Sequence, residues 1–545
     1  MDYADVRKHA REIAEATRSH SMPPYLPEAG YGDFLEDQRL TDAEVDLLSR
    51  WVSSGTPAGP PSELPPPPQF PDGWALGQPD LIVEAPSAIS IPASGPDVFW
   101  NFVLTPDLKM SRYVRAIEIR TGHGAMVHHA NLIVDPARSA RKRERSPGAG
   151  FPGMDVTVER PALSFDSHFL FWKPGSLPYS EPKGFSWRLD PGTDLVLNTH
   201  IKPHGEAAQL RPAIGLYFTN DAPARFPMLI ELDGDNQLNI PAGSRDFPVA
   251  DDFTLPVDAQ VLAVYPHAHY LGKLLEGFAT LPDGTRKWLI RIPSWDQDVQ
   301  AVYHLRAPLL LPKGSVISMR YHYDNSSANP HNPSHPPRRV RAGNQATDEM
   351  AHLWLQLLPR GPGDARPFIE EALMRHRIDR NPADFLSYLR LGGLLMARMN
   401  AADALPVLRT AVRIEPDHAE AHNLFGAALA SVGQSADSVA QFQLALKIEP
   451  GYSNARLNLA NALAKSGRFA EAAQNFRQLL QVLPDDELTK KLLARTLSRE
   501  AAQSIREEKF SDALTQLDQA LALDSSLADA RQNRELVLEH LDKRR

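Results

Sequence analysis

Hydrophobic and polar residues alternate in short runs between about residue 75 and residue 360. The runs DLVLNTH (194–200) and ATLPDGTRKWLIRI (279–292) are typical, and Pro, Gly or Asp interrupts the pattern about every 8–12 residues. This texture favours antiparallel β-sandwiches over alternating strands and helices. About 290 residues is too long for one small sandwich, so we predict two tandem, jelly-roll-like sandwiches over 79–224 and 225–362.

A repeating helical pattern takes over after residue 378. Four prolines follow one another at intervals of 34 residues, the period of tetratricopeptide repeats: Pro382, Pro416, Pro450 and Pro484. We therefore predict an all-α tetratricopeptide solenoid over 378–545, closed by an irregular helical pair at about 497–540. Such an array binds a protein partner along its concave groove or simply packs.

The start of the chain has a third sequence pattern. Residues 1–58 are polar and helical in pattern, with Thr41 predicted to cap a helix and Glu44 to complete a capping box. A proline-rich linker, residues 59–78, follows and is expected to be extended. The predicted fold class is therefore multidomain: a short helical N-terminal segment, two β-sandwiches and a helical solenoid.

Composition narrows the possible functions of the 545-residue chain. Its net charge of −9 argues against binding nucleic acid or an anionic membrane surface, and no hydrophobic run is long enough to span a membrane. The chain has no cysteine, which excludes disulfides, thiolate zinc sites, iron–sulfur clusters and covalently attached haem. Any metal must be held by His, Met, Asp or Glu.

The segment VYPHAHYLGK (264–273) places two histidines one residue apart in a predicted strand. Side chains at positions i and i+2 lie on the same face of a strand, so His267 and His269 would converge in a geometry that chelates a metal. For this segment alone, a pair of solvated surface histidines is the simpler interpretation.

Other segments hold further candidate ligands, and each alone also fits a hydrogen-bonded core residue or ordinary packing. His128 and His129 are adjacent in MVHHANLIVD (126–135), so a shared metal requires a β-bulge or a strand end. His200 ends the strand DLVLNTH, and Met350 directly precedes an alternating strand in an acidic context.

Taken in order, five blocks of the sequence resemble the copper type II, ascorbate-dependent monooxygenases, the family of peptidylglycine α-hydroxylating monooxygenase and dopamine β-monooxygenase. The blocks are HHANLIVD, LVLNTHIKPHG, PHAHYLGK, YDNSSANPHNP and TDEM. The resemblance covers roughly residues 80–360. It implies an oxidoreductase that hydroxylates a C–H bond of a small organic substrate with O2 and a one-electron donor such as ascorbate.

The same resemblance implies two coppers per chain. The copper that stores an electron and delivers it across a solvent-filled cleft would be held by His128, His129 and His200. The catalytic copper, which binds O2 and the substrate, would be held by His267, His269 and Met350. The ligand types agree with this, because a thioether favours Cu(I) and a histidine-bound zinc would gain nothing from it.

The chain departs from the peptide-processing members of that family at three positions. Tyr265 stands where those members have an arginine that anchors the peptide carboxylate, and His352 and Trp354 replace an asparagine and a tyrosine. We therefore expect a non-peptide substrate that is neutral or aromatic. His352 would either add a ligand or hydrogen bond near the second copper or have a structural role.

Residues 19–57 resemble the distal half of a class I cytochrome c domain, with Met22 at the position of the axial methionine. The CxxCH motif is missing, so this segment is either the remnant of a longer haem domain or a helical appendage. The copper-family resemblance suggests a periplasmic or secreted protein. The charged N-terminus does not resemble a signal peptide, which leaves a cytoplasmic location open.

Two alternatives compete with the dicopper monooxygenase. The first is a non-catalytic scaffold or adaptor, in which the β-domains are a framework and the repeats recruit a protein partner. The second is a zinc or iron enzyme that uses part of the histidine set. Metal content separates the three.

Overall fold

The computed structural model describes residues 3–35, 37–63, 73–122, 126–154, 156–159, 161–203 and 205–543. The central part of the predicted proline-rich linker, residues 64–72, lies outside this description. The chain divides into two compact units, Met1–Leu373 and Met374–Arg545.

The first unit opens with helices α1 (Tyr3–Lys8), α2 (Ala10–Arg18) and α3 (Asp42–Ser53). The predicted capping box is confirmed at α3. The Thr41 hydroxyl accepts from the amide of Glu44, and the Glu44 carboxylate accepts from the amide of Thr41 at 2.7 Å. Each partner satisfies an amide that the helix leaves unpaired.

The segment between α2 and α3 packs on β structure much later in the chain. Phe34 is buried and forms an antiparallel β-bridge with Leu305, and the amide of Glu28 donates to the carbonyl of Arg291 at 2.8 Å. The ring of Tyr31 also lies against another aromatic ring of that region. The N-terminal segment is therefore an integral part of the first unit.

The first β region contains β1 (Leu81–Glu84), β2 (Ile89–Ile91), β3 (Val98–Leu104), β4 (Arg112–Arg120), β5 (Val127–Asp135), β6 (Phe151–Pro152), β7 (Phe171–Trp172), β8 (Trp187–Leu189), β9 (Asp194–Ile201), β10 (Ala208–Leu210) and β11 (Ala213–Thr219). One sheet has the order β1-β11-β4-β8, another has the order β6-β3-β9-β5-β7, and β10 pairs with β2. Buried residues from both larger sheets form one hydrophobic cluster, which holds β5 and β9 in place.

The second β region contains β12 (Met228–Asp233), β13 (Asn239–Ile240), β14 (Phe247–Thr254), β15 (Ala259–His267), β16 (Gly272–Thr280), β17 (Arg286–Ile292), β18 (Tyr303–Leu311), β19 (Val316–Tyr323), β20 (Val340–Arg341) and β21 (His352–Pro359). Its larger sheets have the orders β12-β21-β15-β18 and β14-β19-β16-β17, and β13 pairs with β20. The central pair β15 and β21 is antiparallel, and its residues alternate between buried and less buried positions.

Helices follow the β regions: α4 (Arg366–Arg380), α5 (Phe385–Ala397), α6 (Ala401–Ile414), α7 (Ala419–Ser431), α8 (Ser435–Ile448), α9 (Ser453–Lys465), α10 (Phe469–Val482), α11 (Glu487–Arg506), α12 (Phe510–Leu523) and α13 (Ala528–Asp542). The predicted order of β structure and then a repetitive helical array is confirmed. The sandwich assignment and the domain limits stay predictions. Among the described helices, none combines the length and hydrophobicity that crossing a membrane requires.

The repeat pattern has a visible physical basis in the helix contacts. Gly392 and Gly426 lie where paired helices approach closely. A Cβ atom on Gly392 would come within 2.3 Å of Leu408, and one on Gly426 within 2.7 Å of Phe442. The predicted limits of the last pair were wrong, because α11 begins at Glu487 and runs unbroken for 20 residues. That stretch contains no Pro or Gly to interrupt a helix.

Candidate metal sites

The first predicted ligand set comes together on two paired strands. In the pairing of β5 with β9, His129 lies directly opposite His200. The register shifts between Val127 and His129, so His128 is the extra residue of a β-bulge. One ring nitrogen from each of the three histidines lies within 4.8 Å of the others. The bulge required for adjacent histidines to share a metal is therefore present.

Carboxylates anchor two rings of this three-histidine cluster. Nε2 of His128 lies 3.0 Å from Oδ1 of Asp298, and Nε2 of His200 lies 2.7 Å from Oδ2 of Asp97. A carboxylate on Nε2 selects the tautomer that leaves Nδ1 as a lone-pair donor. Nδ1 of His128 lies 3.1 Å from Nδ1 of His129. At this distance either a hydrogen atom on one ring or a cation between the rings can join the two nitrogens.

Burial favours the neutral form of two rings of the cluster. Burial lowers the pKa of His129 well below its usual value, and burial also lowers the pKa of His200. The hydrogen bond with His128 lowers the pKa of Asp298 to about 2. The hydrogen bond with His200 likewise lowers the pKa of Asp97. The lowered pKa values favour neutral imidazoles at His129 and His200, the form that binds metals.

The second predicted histidine pair converges at the end of β15. The ring centroids of His267 and His269 lie 5.3 Å apart at 82°. Nδ1 of His267 lies 2.7 Å from Oε1 of Gln300, and Nδ1 of His269 lies 3.1 Å from the carbonyl of Asp348. These contacts leave Nε2 of both rings as the lone-pair donors. Burial lowers the pKa of His267 well below its usual value and that of His269 to about 4.

The buried carboxyl of Glu349 connects the backbone at Met350 to the backbone at His269. Oε2 of Glu349 accepts from the amides of His269 at 2.7 Å and Met350 at 2.9 Å. Oε1 of Glu349 accepts from the amide of Leu271 at 2.7 Å. Burial raises the pKa of Glu349 to about 8. One side chain therefore fastens the turn after β15 to the segment before β21, because the amides of His269 and the buried Met350 donate to the same carboxylate oxygen.

The ring of His352 lies near the second cluster and contacts acidic side chains. Its ring lies 6.0 Å from that of His267, but Nε2 is 3.0 Å from Asp235 and Nδ1 is 3.4 Å from Glu231. Although burial alone would lower it, these acids raise the pKa of His352 to about 9. Together with Asp233, His352 and Asp235 form a second group of closely spaced ligand atoms. The raised pKa favours ion pairs between His352 and these acids.

Aromatic rings connect the two histidine clusters. The ring of His129 lies 5.9 Å from Phe171, Phe171 lies 5.1 Å from Tyr265, and Tyr265 lies 6.0 Å from His267. The Tyr265 hydroxyl donates to Oε1 of Gln300 at 3.0 Å, the same atom that His267 contacts. The aromatic surroundings that Tyr265 suggested are therefore present, and they extend from one cluster to the other.

Sequence analysis missed the residues that orient the rings. Asp298 and Gln300 lie in the polar segment SWDQDVQ (294–300), and Asp97 precedes β3. None of them is close in sequence to the histidine it contacts. The alternating acids of ELDGD (231–235) were the available signal for the partners of His352. Asp298 also accepts from Lys202 at 3.3 Å, which joins the two β regions.

Comparison with known proteins identifies only the helical part of the chain. A tetratricopeptide-repeat family profile matches residues 429–496, which confirms the predicted repeats. No curated protein matches the chain. The copper-monooxygenase and cytochrome c resemblances therefore stay predictions.

Solved structures similar to the chain cover less than a third of it. A crystal structure of MamA is 16% identical, covering 30% of this chain and 92% of that chain with a TM-score of 0.25. YrrB, described as a TPR protein with an unusual peptide-binding site, is 17% identical, covering 30% and 81%, with a TM-score of 0.26. MamA residues 41 to the end from Desulfovibrio magneticus RS-1 is 20% identical, covering 29% and 92%, with a TM-score of 0.23.

Proposed function

We propose that the chain is a dicopper monooxygenase that hydroxylates a C–H bond of a small, non-peptide organic substrate. The observation that carries the proposal is the arrangement of the predicted ligands. The five predicted histidine ligands lie in two groups, and four of them have one ring nitrogen anchored by an oxygen atom of the protein. Anchoring of this kind is typical of histidines that bind metals, and it raises the basicity of the ligand nitrogen.

The donor sets fit copper in both of its common oxidation states. The first set consists of imidazole nitrogens, and we assign it to His128, His129 and His200. The second set adds a thioether, and we assign it to His267, His269 and Met350. Imidazole binds both Cu(I) and Cu(II), and a thioether favours Cu(I). When bound, the two coppers would supply the two electrons and the dioxygen chemistry that hydroxylation needs, with ascorbate or another one-electron reductant as donor.

The protein would contribute orientation, water exclusion and a route for electrons. Asp97 and Asp298 hold the rings of the first cluster, and Gln300 holds His267. Phe171 and Tyr265 form the ring contacts between the clusters, so we propose electron transfer through these side chains rather than across solvent. Fixed ligands in a dry environment reduce the reorganisation that accompanies a change of charge.

The helical repeats support a second role, that of a scaffold or adaptor. The family match and the repeat-spaced contacts at Gly392 and Gly426 describe an array built for protein partners. In our proposal the repeats bring the oxygenase to its partner. A non-catalytic scaffold is the second candidate function, and the match to tetratricopeptide repeats favours it. We also propose a periplasmic or secreted location, which the copper-family resemblance implies.

Metal analysis combined with oxygen uptake tests the proposal. Metal content would be measured on the full chain as purified and again after copper loading and removal of excess metal. Substrate-dependent O2 uptake with ascorbate would then be assayed on the copper-loaded chain across a panel of organic compounds. Two coppers per chain and substrate-dependent uptake would support the oxygenase. One zinc per chain would support a zinc enzyme. A chain that binds no metal would support the non-catalytic scaffold.

Matched histidine variants sharpen this experiment. His129→Gln is expected to lose one copper of the two. His322→Gln is the control, because His322 lies outside both clusters and its ring contacts Asp246 instead. Equal copper content in the two variants would contradict the assignment of the first cluster.

A further inference from the structure

A cavity of about 420 Å³ lies in the first unit and borders the first histidine cluster through Phe171. Aromatic rings from several segments line it, among them Phe169, Trp172, Tyr179, Trp187 and Tyr303. Among the described lining residues there is none of the six predicted metal ligands. The cavity therefore needs an explanation other than the proposed oxygenase site.

A buried carboxyl without a hydrogen-bond donor lies in the wall of this cavity. The side chain of Glu181 is 13% exposed, and the nearest charged or titratable partner given by the structure is Nε2 of His168 at 3.9 Å. That nitrogen already lies 2.8 Å from the carbonyl of Phe185, and Nδ1 of the same ring lies 2.7 Å from the hydroxyl of Ser167. Both ring nitrogens are thus engaged. Within the described part of the chain, the Glu181 carboxyl has no donor.

The other charged groups of the cavity wall are satisfied. Glu118 accepts from the amides of Ala75 and Leu76 at 2.8 and 3.3 Å. The ammonium of Lys173 donates to the carbonyl of Val299 at 3.1 Å. Among the charged groups of the described wall, Glu181 is therefore the one for which the protein supplies no donor.

The surroundings of Glu181 also select the kind of donor. The rings that line the cavity include Tyr179, which stacks on His304 at 3.8 Å, and Tyr303, which meets Tyr25 edge-on at 5.8 Å. Aromatic faces carry negative electrostatic potential and attract cations. Burial raises the pKa of Glu181 to about 8, which reflects the cost of an unpaired charge there. A cationic donor would remove that cost, whereas a neutral hydroxyl would leave the aromatic faces unused.

We propose that this cavity binds a small organic ammonium ion with a hydrophobic body, and that Glu181 is its counter-ion. The ammonium group donates to the carboxylate, and the hydrophobic body packs on the rings. Tyr25 and Gln38 also line the cavity, so the N-terminal segment forms part of the binding wall. The site does not depend on metal, and its failure would leave the proposed oxygenase untouched.

Calorimetric titration of the full chain tests the site with three probes of matched shape. Cyclohexylmethylammonium is expected to bind at least ten-fold more tightly than the neutral cyclohexylmethanol, and the anionic cyclohexanecarboxylate is expected not to bind. Glu181→Gln should remove the preference for the ammonium ion. Glu84→Gln is the control, because Glu84 is half-exposed and pairs with Arg211. Equal binding of ammonium and alcohol, or an unchanged preference in Glu181→Gln, would overturn the proposal.

A second measurement needs no variant. Binding of a cation should ionise the carboxyl and release a proton near neutral pH, so the apparent binding enthalpy should change with the ionisation enthalpy of the buffer. Binding without proton release would also count against Glu181 as the counter-ion.

Discussion

Asp298 and His128 belong to different β regions, yet Oδ1 of Asp298 lies 3.0 Å from Nε2 of His128. The same carboxylate oxygen accepts from Lys202 at 3.3 Å. A residue of the second β region therefore orients a predicted metal ligand of the first. The carboxylate that orients His128 is in place only when the two β regions are together.

Removing the charge of Asp298 should weaken metal binding at the three-histidine cluster. Asp298→Asn retains the shape of the side chain but loses the carboxylate that increases the basicity of His128. We expect about 10–100-fold weaker copper binding there, measured by competition with a chelator. Asp283→Asn, in an exposed turn, is the control. Unchanged affinity in Asp298→Asn would contradict this role.

Met350→Ile should abolish oxygen uptake while the first cluster still binds copper. Isoleucine has a similar volume, so the stability cost should stay below about 1.5 kcal/mol, but it has no sulfur donor. Copper content and O2 uptake would be measured on the same preparation. Met110→Ile provides the comparison, because Met110 is 64% exposed. Oxygen uptake retained by Met350→Ile would refute the thioether as a ligand.

Tyr265 provides a test of the ring contacts between the clusters. Tyr265→Phe keeps the ring and removes only the hydrogen bond to Gln300, whereas Tyr265→Leu interrupts the contact between Phe171 and His267. We expect electron transfer between the clusters to slow at least ten-fold in Tyr265→Leu and much less in Tyr265→Phe. Rapid freezing followed by electron paramagnetic resonance would measure it. Equal rates in the two variants would assign the transfer to another route.

The pH dependence of stability should contain opposing contributions from Glu181 and His168. The folded-state pKa of Glu181 is raised to about 8, so its contribution is full below pH 4.5 and is lost as the pH rises toward 8. Burial lowers the pKa of His168 to about 4, so its contribution is present above pH 6.5 and is lost as the pH falls toward 4.

Glu181→Gln should therefore become more stable than the wild type as the pH rises. The gain should be near zero at pH 4.5 and at most roughly 5 kcal/mol above pH 8. Chemical denaturation at several pH values would measure it, with Glu84→Gln as the exposed reference. A gain that does not change with pH would show that Glu181 is not the group responsible.

Gly426→Ala should destabilise the helical array. The added Cβ atom would lie 2.7 Å from the ring of Phe442, which forces two paired helices apart and should cost about 1–3 kcal/mol. Gly451→Ala is the matched control, because its Cβ would meet nothing within 4 Å. Thermal unfolding of both variants would be compared. Equal midpoints would argue against close helix packing at Gly426.

Sequence periodicity predicted the features that depend only on local backbone geometry, such as which side chains share one face of a strand. The spacing of His267 and His269 was enough to place their rings together, because alternation along a strand is a local property. The adjacent pair His128 and His129 allowed either a bulge or a strand end. Only the pairing of β5 with β9 distinguishes the two, and it shows the bulge.

The sequence did not predict contacts between residues that are far apart along the chain. Asp298 lies 170 residues from His128, and Asp97 lies 103 residues from His200. No periodicity links positions so far apart, and a carboxylate in a loop is usually solvated. The unpaired carboxyl of Glu181 was missed for the same reason, since its isolation depends on segments that fold around it.

The carboxyl of Glu349 can join the second cluster only late in synthesis, because this residue comes about 80 residues after the two histidines. It ties the amides of His269 and Leu271 to that of Met350, across 80 residues of intervening chain. During synthesis the two histidines leave the ribosome well before the thioether does. Until translation has passed this carboxyl, none of the described residues ties the two histidines to the segment of the thioether, so the proposed ligand set would stay incomplete.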